Sequence, residues 1–282
     1  MASGSEFAIR APHPALGNLV TSYIGYRQHD VTLQMHRGLP SRHVTLIVSL
    51  ADPVRIVGMP GGGQSPASLQ ALIGGMHTAP ALIAQDTYQC GMHLELNPLG
   101  VHSLLGLSAD ELAGSVVDLR DLGHPRLTEL PERLALAAGW QDRFAILDEV
   151  LRAVRTQRGC PAPEVSWAWR RMVAAGGLVP VRALADEVGW SRRHFAERFR
   201  REVGLAPKQA ARVVRFGRAC ALLHRSPRVP LAELAVTCGY YDQAHLSNEW
   251  RDLAGCSPGT WIAEELPFLH DGTTDDGAGS RP

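Results

Sequence analysis

The chain has 282 residues, 45% hydrophobic and 20% charged, with a formal net charge of zero. That balance suits a soluble protein of two domains, each long enough to bury its own core. The five cysteines stand singly without metal-ligand spacing, no apolar run approaches the ~20 residues of a membrane helix, and no signal peptide is visible. A disulfide framework and a membrane anchor are therefore excluded from the reading, and a reducing, cytoplasmic location is expected.

The charge is unevenly placed. Residues 1–160 hold 12 arginines against 14 acids, 161–266 hold 15 basic against 11 acidic residues, and 267–282 hold one arginine against three aspartates. Within the middle block, 161–230 alone carries 14 basic against 5 acidic residues, the electrostatic footprint expected for nucleic acid. An arginine-rich, solvated surface is the plainer reading of the same numbers.

The opening MASGSEF, residues 1–7, reads as an added leader with cloning-site residues and is set apart from the fold. Residues 8–158 form the expected first domain. Its segments LVTSYIGY (19–26), HVTLIVSL (43–50), VRIVGM (54–59) and QCGMHLEL (89–96) are short, β-branched or aromatic, and bounded by Gly, Pro and Asp turns. They predict strands of a sandwich or barrel. GMPGGGQSPAS (58–68) lacks the GK[ST] ending of a phosphate loop and predicts a flexible connection.

After NPLG (97–100) the period changes. VHSLLGLS and SADELAGSVVDLRDL carry helical cues, with Ser108 as a start signal, and further helices are predicted at 127–138 and 141–157. The last of these spaces Phe144, Leu147, Leu151 and Val154 as an apolar stripe. The stripe fits equally well against the barrel or across a dimer interface. RGCPAPE contains the predicted linker, 159–164. Beyond it, helices are predicted at 165–175, 181–188, 191–203, 207–225, 230–238, 242–254 and 258–265. They form an all-α domain over 165–266, followed by a disordered tail, 267–282.

Self-similarity decides what the helical part is for. LADEVGWSRRHFAERFRREVGLAP (184–207) lies over LAVTCGYYDQAHLSNEWRDLAGCSP (234–258) once one residue is inserted at the turn. Leu184, Ala185, Gly189, His194, Gly204 and Pro207 then match Leu234, Ala235, Gly239, His245, Gly255 and Pro258. Each copy reads as a helix-turn-helix. A first helix ends at a glycine, an aromatic residue (Trp190 or Tyr240) fills the angle, and Ser191 or Asp242 caps the second helix. Phe195/Phe199 and Leu246/Trp250 mark the buried face, which leaves Arg193, Glu197 and Arg200 exposed in one copy. In the other copy the exposed positions are Ala244, Asn248 and Arg251, flanked by Gln243 and Ser247.

These residue types suit base edges: arginine pairs with guanine, Asn or Gln with adenine, and Glu with cytosine. Arg193 and Glu197 are the expected base-facing pair. Arg192, Arg200, Arg201, His194 and His245 are placed to hold phosphates. The long helix PKQAARVVRFGRACALLHRS sets the two copies apart, and reading one face of DNA would need a spacing near one helical turn, ~34 Å.

The double helix-turn-helix, the connecting helix and the closing GCSPGTW together resemble the DNA-binding domain of AraC/XylS-type bacterial transcription regulators. The second copy follows that family's signature, with Tyr240, Leu246 and Trp250 standing for Phe, Ala244 for Ser, and Asn248 where Arg is common. The apolar exchanges preserve packing, whereas Ala244 and Asn248 change the DNA-facing surface. PSRHVTLIVSL, GGMHTAP and LNPLGVHSLLGLSADELAGSVVDLRDL are similar to the sensor domains of some of these regulators. That resemblance implies a cupin-like β-barrel with added helices, serving ligand binding or dimerisation.

Other chemistry is weighed and set aside. His36, His43, His77, His93 and Glu95 invite a metal site, but the close His-x-His…Glu pattern of metal cupins is missing. No G-x-S-x-G elbow appears, and Cys90 reads as an inert buried thiol. The expectation is a multidomain α+β protein that is a DNA-binding regulator rather than an enzyme, with no cofactor and no metal. Its expected partners are a double-stranded DNA operator, a small-molecule effector, RNA polymerase if it activates, and a second copy if it dimerises. Two alternatives stay open: an N-terminal domain that only oligomerises, and a metal- or enzyme-like cupin fused to a DNA-binding domain.

Overall fold

A computed structural model describes residues 5–60, 63–156 and 160–266. The expected tail, 267–282, and part of the leader lie outside these residues. Ten strands come from the first half: β1 (Glu6–Arg10), β2 (Val20–Gln28), β3 (Met35–Gly38), β4 (Val44–Ser49), β5 (Val54–Gly58), β6 (Ala67–Leu69), β7 (Ala71–Gly74), β8 (Ala81–Ala84), β9 (Gln89–Leu96) and β10 (Val116–Asp118). All pairings are antiparallel. They build a six-stranded sheet, β1-β2-β9-β4-β7-β10, and a four-stranded sheet, β3-β8-β5-β6.

The larger sheet separates its residues by period two. Val44, Leu46 and Val48 of β4 and Met92, Leu94 and Leu96 of β9 enter the main apolar core. Their neighbours Thr45, Ile47, Ser49, His93 and Glu95 line a cavity closed on its other side by the smaller sheet. Each apolar side chain so buried contributes about 1.5–3 kcal/mol, which pins the strand register.

Five helices follow the sheets: α1 (Val101–Leu105), α2 (Ala109–Leu112), α3 (Pro125–Thr128), α4 (Leu130–Leu136) and α5 (Trp140–Val154). The stripe Phe144, Leu147, Leu151 and Val154 is buried in the same core as the sheet, so it packs within the chain. Asp148 on α5 is buried beside it. The carboxylate accepts hydrogen bonds from Arg10 at 2.7 Å, the His13 amide at 2.8 Å and the Tyr23 hydroxyl at 3.1 Å.

Four sequence readings need correction here. Glu6 and Phe7, set apart with the leader, pair in β1 with Arg27 and Tyr26, and Glu6 is bonded to Arg27 and the Trp140 indole. The helical cues over 108–122 yield α2 and a short 3-10 turn (Leu119–Leu122) rather than one helix, because β-branched Val116 and Val117 extend the sheet edge beside β7. The segment 58–68 is not wholly a loose connection. Gln64 makes paired hydrogen bonds to the Val116 backbone, and Ala67 begins β6. The helix expected at 127–138 divides into α3 and α4, the second carrying Pro131 in its first turn, where a missing amide costs no helical bond.

Seven helices complete the chain: α6 (Pro163–Ala174), α7 (Val181–Glu187), α8 (Arg192–Val203), α9 (Pro207–Arg225), α10 (Leu231–Thr237), α11 (Gln243–Ala254) and α12 (Pro258–Glu264). The apolar core runs without a break from the sheet into these helices. The halves meet where α2 and the Pro98–Gly100 turn pack on α8 and where the end of α12 reaches β3.

Candidate nucleic-acid interface and barrel cavity

The two repeats fold alike. Gly189 and Gly239 end α7 and α10 with φ of +73° and +75°, a conformation strained for any residue with a Cβ. The next residue turns inward in both copies. Trp190 meets His194 edge-on at 4.7 Å between ring centroids, and Tyr240 meets His245 in the same way at 5.4 Å. Ser191 caps α8 by accepting from the His194 amide at 3.3 Å, and Asp242 caps α11 by accepting from the His245 amide at 2.7 Å. Phe195, Phe199, Leu246 and Trp250 are fully buried, which fixes how each second helix is rotated.

That rotation exposes Arg192, Arg193, His194, Glu197, Arg200 and Arg201 on α8, and Gln243, Ala244, Asn248 and Arg251 on α11, with Ser247 half-buried. Arg193 donates to Glu197 at 3.0 Å along the exposed face. Arg251 donates to the Asn248 carbonyl oxygen at 3.1 Å, leaving the Asn248 amide group outward. His245 is half-buried, and its Nδ1 accepts from the Tyr241 amide at 3.2 Å, so one ring nitrogen is already engaged within the protein.

Part of the positive charge is structural. Glu249 on α11 accepts from Arg212 at 2.9 Å and from Arg215 at 2.9 Å, tying α11 to α9, while the Arg215 guanidinium lies over the Tyr240 ring. Arg198 pairs with Glu202 at 2.9 Å. Glu202 also accepts from the Ala162 amide at 2.9 Å, fastening the entry to α6. Arg201 acts on Glu111 of α2. That carboxyl is held below its usual range, first by its bonds to Ser108, with Arg201 adding to the effect. None of these partnerships follows from local spacing, apart from the i,i+4 step between Arg198 and Glu202.

The cavity between the sheets has a volume of about 490 Å³ and mostly apolar walls. Tyr26 lies across β9 opposite Gly91, where a Cβ would come within 2.6 Å of the Tyr26 hydroxyl. Burial pushes that phenol up to about 12, so it is a protonated donor at neutral pH. Burial likewise lowers His93 and His77, keeping both imidazoles neutral. Glu95 is held at about 2, chiefly by its bond to His43, against the opposing effect of burial, with Ser22 donating at 2.8 Å.

At the cavity mouth, His36 Nδ1 lies 2.8 Å from the Glu265 carboxylate, which also accepts from the Arg37 amide at 2.9 Å and its guanidinium at 3.1 Å. Of the five residues considered for a metal, His43 pairs with Glu95 and His36 with Glu265, His77 is bonded to the Ala79 carbonyl at 2.6 Å, and His93 feels the charges of Glu95, His43 and His36. Among the described residues no group of three or more His, Cys, Asp or Glu is arranged to hold a metal ion. None of the described helices is long and apolar enough to cross a membrane.

A family model described as a helix-turn-helix domain matches residues 184–264. No curated protein matches the chain. Among solved structures, an apo variant of ToxT from Vibrio cholerae superposes with a TM-score of 0.53 at 9% identity, over 86% of this chain and 98% of that one. A second ToxT structure from Vibrio cholerae, bound to (E)-4-(8-methylnaphthalen-1-yl)but-3-enoic acid, gives 0.50 at 8% identity over 92% and 98%. The C-terminal domain of AraT, a response regulator from Geobacillus stearothermophilus, gives 0.34 at 20% identity over 36% of this chain and 85% of its own. Residues 184–264 accordingly form a helix-turn-helix domain, carried behind an N-terminal β domain in a two-domain fold shared with ToxT.

Proposed function

We propose that the chain is a cytoplasmic, sequence-specific regulator that reads successive major grooves with α8 and α11 and responds to a small molecule in its β domain. Arg193, Glu197, Gln243, Ser247 and Asn248 are the proposed base-facing residues. Arg192, Arg200, Arg201, Arg251 and the histidines His194 and His245 are the proposed phosphate contacts. One observation carries the ligand-responsive part: His36 both lines the cavity and binds Glu265 at the end of the DNA-binding domain.

In this reading, cavity occupancy shifts the balance between the packed arrangement, with α8 against α2, and one free to engage DNA. ToxT, which shares the fold, has been solved with a small organic acid bound, and a ligand is proposed for this chain as well. A β domain that only oligomerises would have filled the space between its sheets, so the open cavity favours sensing over that alternative.

The test is selection of duplexes from a random pool by the full-length protein. Enrichment of a bipartite motif, its halves about 10 base pairs apart, is expected. A pool that stays flat at moderate salt would remove sequence-specific reading.

A further inference from the structure

The cavity is unusual in which of its polar groups are already satisfied. Its lining contains no arginine or lysine. His36 in its lining and His43 beside it each face a carboxylate of the chain itself, Glu265 at 2.8 Å and Glu95 at 3.4 Å. Of the three acids in the lining, Glu95 is engaged by His43 and Ser22 and Asp86 by Arg55 at 2.6 Å, while Asp52 is exposed.

By contrast, the Tyr26 hydroxyl, the Gln28 amide and the His93 imidazole are neutral polar groups of the cavity wall with no hydrogen-bond partner among the described residues. They lie on one face of the adjacent strands β2 and β9, where Ile24 is opposite His93 and Tyr26 opposite Gly91. A guest held between mostly apolar walls can satisfy these groups.

We propose that the cavity takes an uncharged, largely apolar small molecule, hydrogen-bonded through Tyr26, Gln28 and His93, and discriminates against carboxylic acids. A carboxylate would surrender its hydration without meeting a free cation, a penalty that one or two neutral donors do not offset. An uncharged hydroxyl or carbonyl group loses far less and finds both donors and acceptors waiting. The class therefore differs from that of the acid bound by the ToxT structure. This inference rests on the proposed role of the β domain as a ligand site, and its test separates the two.

Three probes on one ring system serve: 2-naphthol, 2-naphthoate and naphthalen-2-ylmethylammonium, each titrated calorimetrically into the full-length protein at pH 7. The expected order places 2-naphthol first, with naphthoate weaker by on the order of a hundredfold. Tyr26→Phe and His93→Leu each weaken naphthol binding about three- to tenfold, with melting temperatures recorded alongside to confirm that the variants fold. Naphthoate or the ammonium binding as well as naphthol overturns the ligand class while leaving the cavity as a ligand site. Naphthol binding that ignores both substitutions places it elsewhere and overturns the assignment. Binding of none of the three removes the ligand site itself, and with it the sensing half of the proposed function.

Discussion

His36 and Glu265 face each other at 2.8 Å across the junction of the β half and the helical half, the carboxylate fully buried. Burial raises the proton affinity of Glu265, but its bonds to His36 and Arg37 outweigh that effect and hold it below the usual carboxylate range. It is therefore an ionised latch at neutral pH. Glu265→Gln weakens the latch and favours the arrangement in which α8 leaves α2. DNA affinity of the variant, read by fluorescence anisotropy, is expected to rise about fivefold or more, within the usual span of coupling energies. An unchanged affinity would separate the latch from DNA binding.

Arg193→Ala removes a side chain that is 90% exposed and whose only bond among the described residues is to Glu197, so folding stability should hold within about 0.5 kcal/mol. Affinity for the selected site is expected to fall by about 1–3 kcal/mol, with a smaller loss on scrambled DNA. Equal losses on both duplexes would make Arg193 a phosphate contact.

Asn248→Ala leaves Arg251 without its acceptor but opens no cavity, since both side chains are exposed. Repeating the duplex selection with this variant should relax preference at a single base position. A motif identical to that of the unsubstituted protein would release Asn248 from base reading.

Glu249→Ala is expected to act on stability instead. It strips the shared acceptor from Arg212 and Arg215, and the Arg215 Nε is buried with no hydrogen-bond partner in the structure. Arg212 keeps Asp252, so urea unfolding should show a loss of about 1–3 kcal/mol, the range for leaving a hydrogen-bonding group unsatisfied. A loss under about 0.5 kcal/mol would mean that α9 and α11 are held by their apolar contacts alone.

Acid titration tests the mouth of the cavity. Glu95 titrates at about 2 in the folded chain, whereas an unfolded glutamate titrates at about 4.3. With the folded value the lower one, its stabilising contribution is complete above about pH 4.3 and drains away as pH falls toward about 2. Glu95→Gln lacks that dependence, so its urea midpoint should fall less than the parent's between about pH 5 and pH 3. Parallel curves would place the acid sensitivity elsewhere.

The helical half was legible in the sequence because its signals are local and occur twice. A glycine, an aromatic residue and a capping side chain recur at matched spacing, and the buried pairs sit four residues apart. The shorter strands were not legible: β3, β6, β7, β8 and β10 span three or four residues, too few to establish a period. The partners of Asp148, Glu249 and Glu265 were also out of reach. Tyr23 and Asp148 are 125 residues apart, and His36 and Glu265 are 229 apart, so only tertiary structure joins them. The same holds for the arginines. Spacing grouped them by face, but only the fold shows that Arg212 and Arg215 are committed to a carboxylate inside the protein.

The alternation along β4 and β9 divides labour in a way that bears on how such a protein diversifies. Val44, Leu46 and Val48 are constrained by the helices behind them, so exchanges there unfold the chain before they alter anything else. Thr45, Ile47 and His93 border open space and carry little of that burden. A lineage could rewrite what the protein responds to by drifting at every second position of two strands, with neither its fold nor its DNA target disturbed.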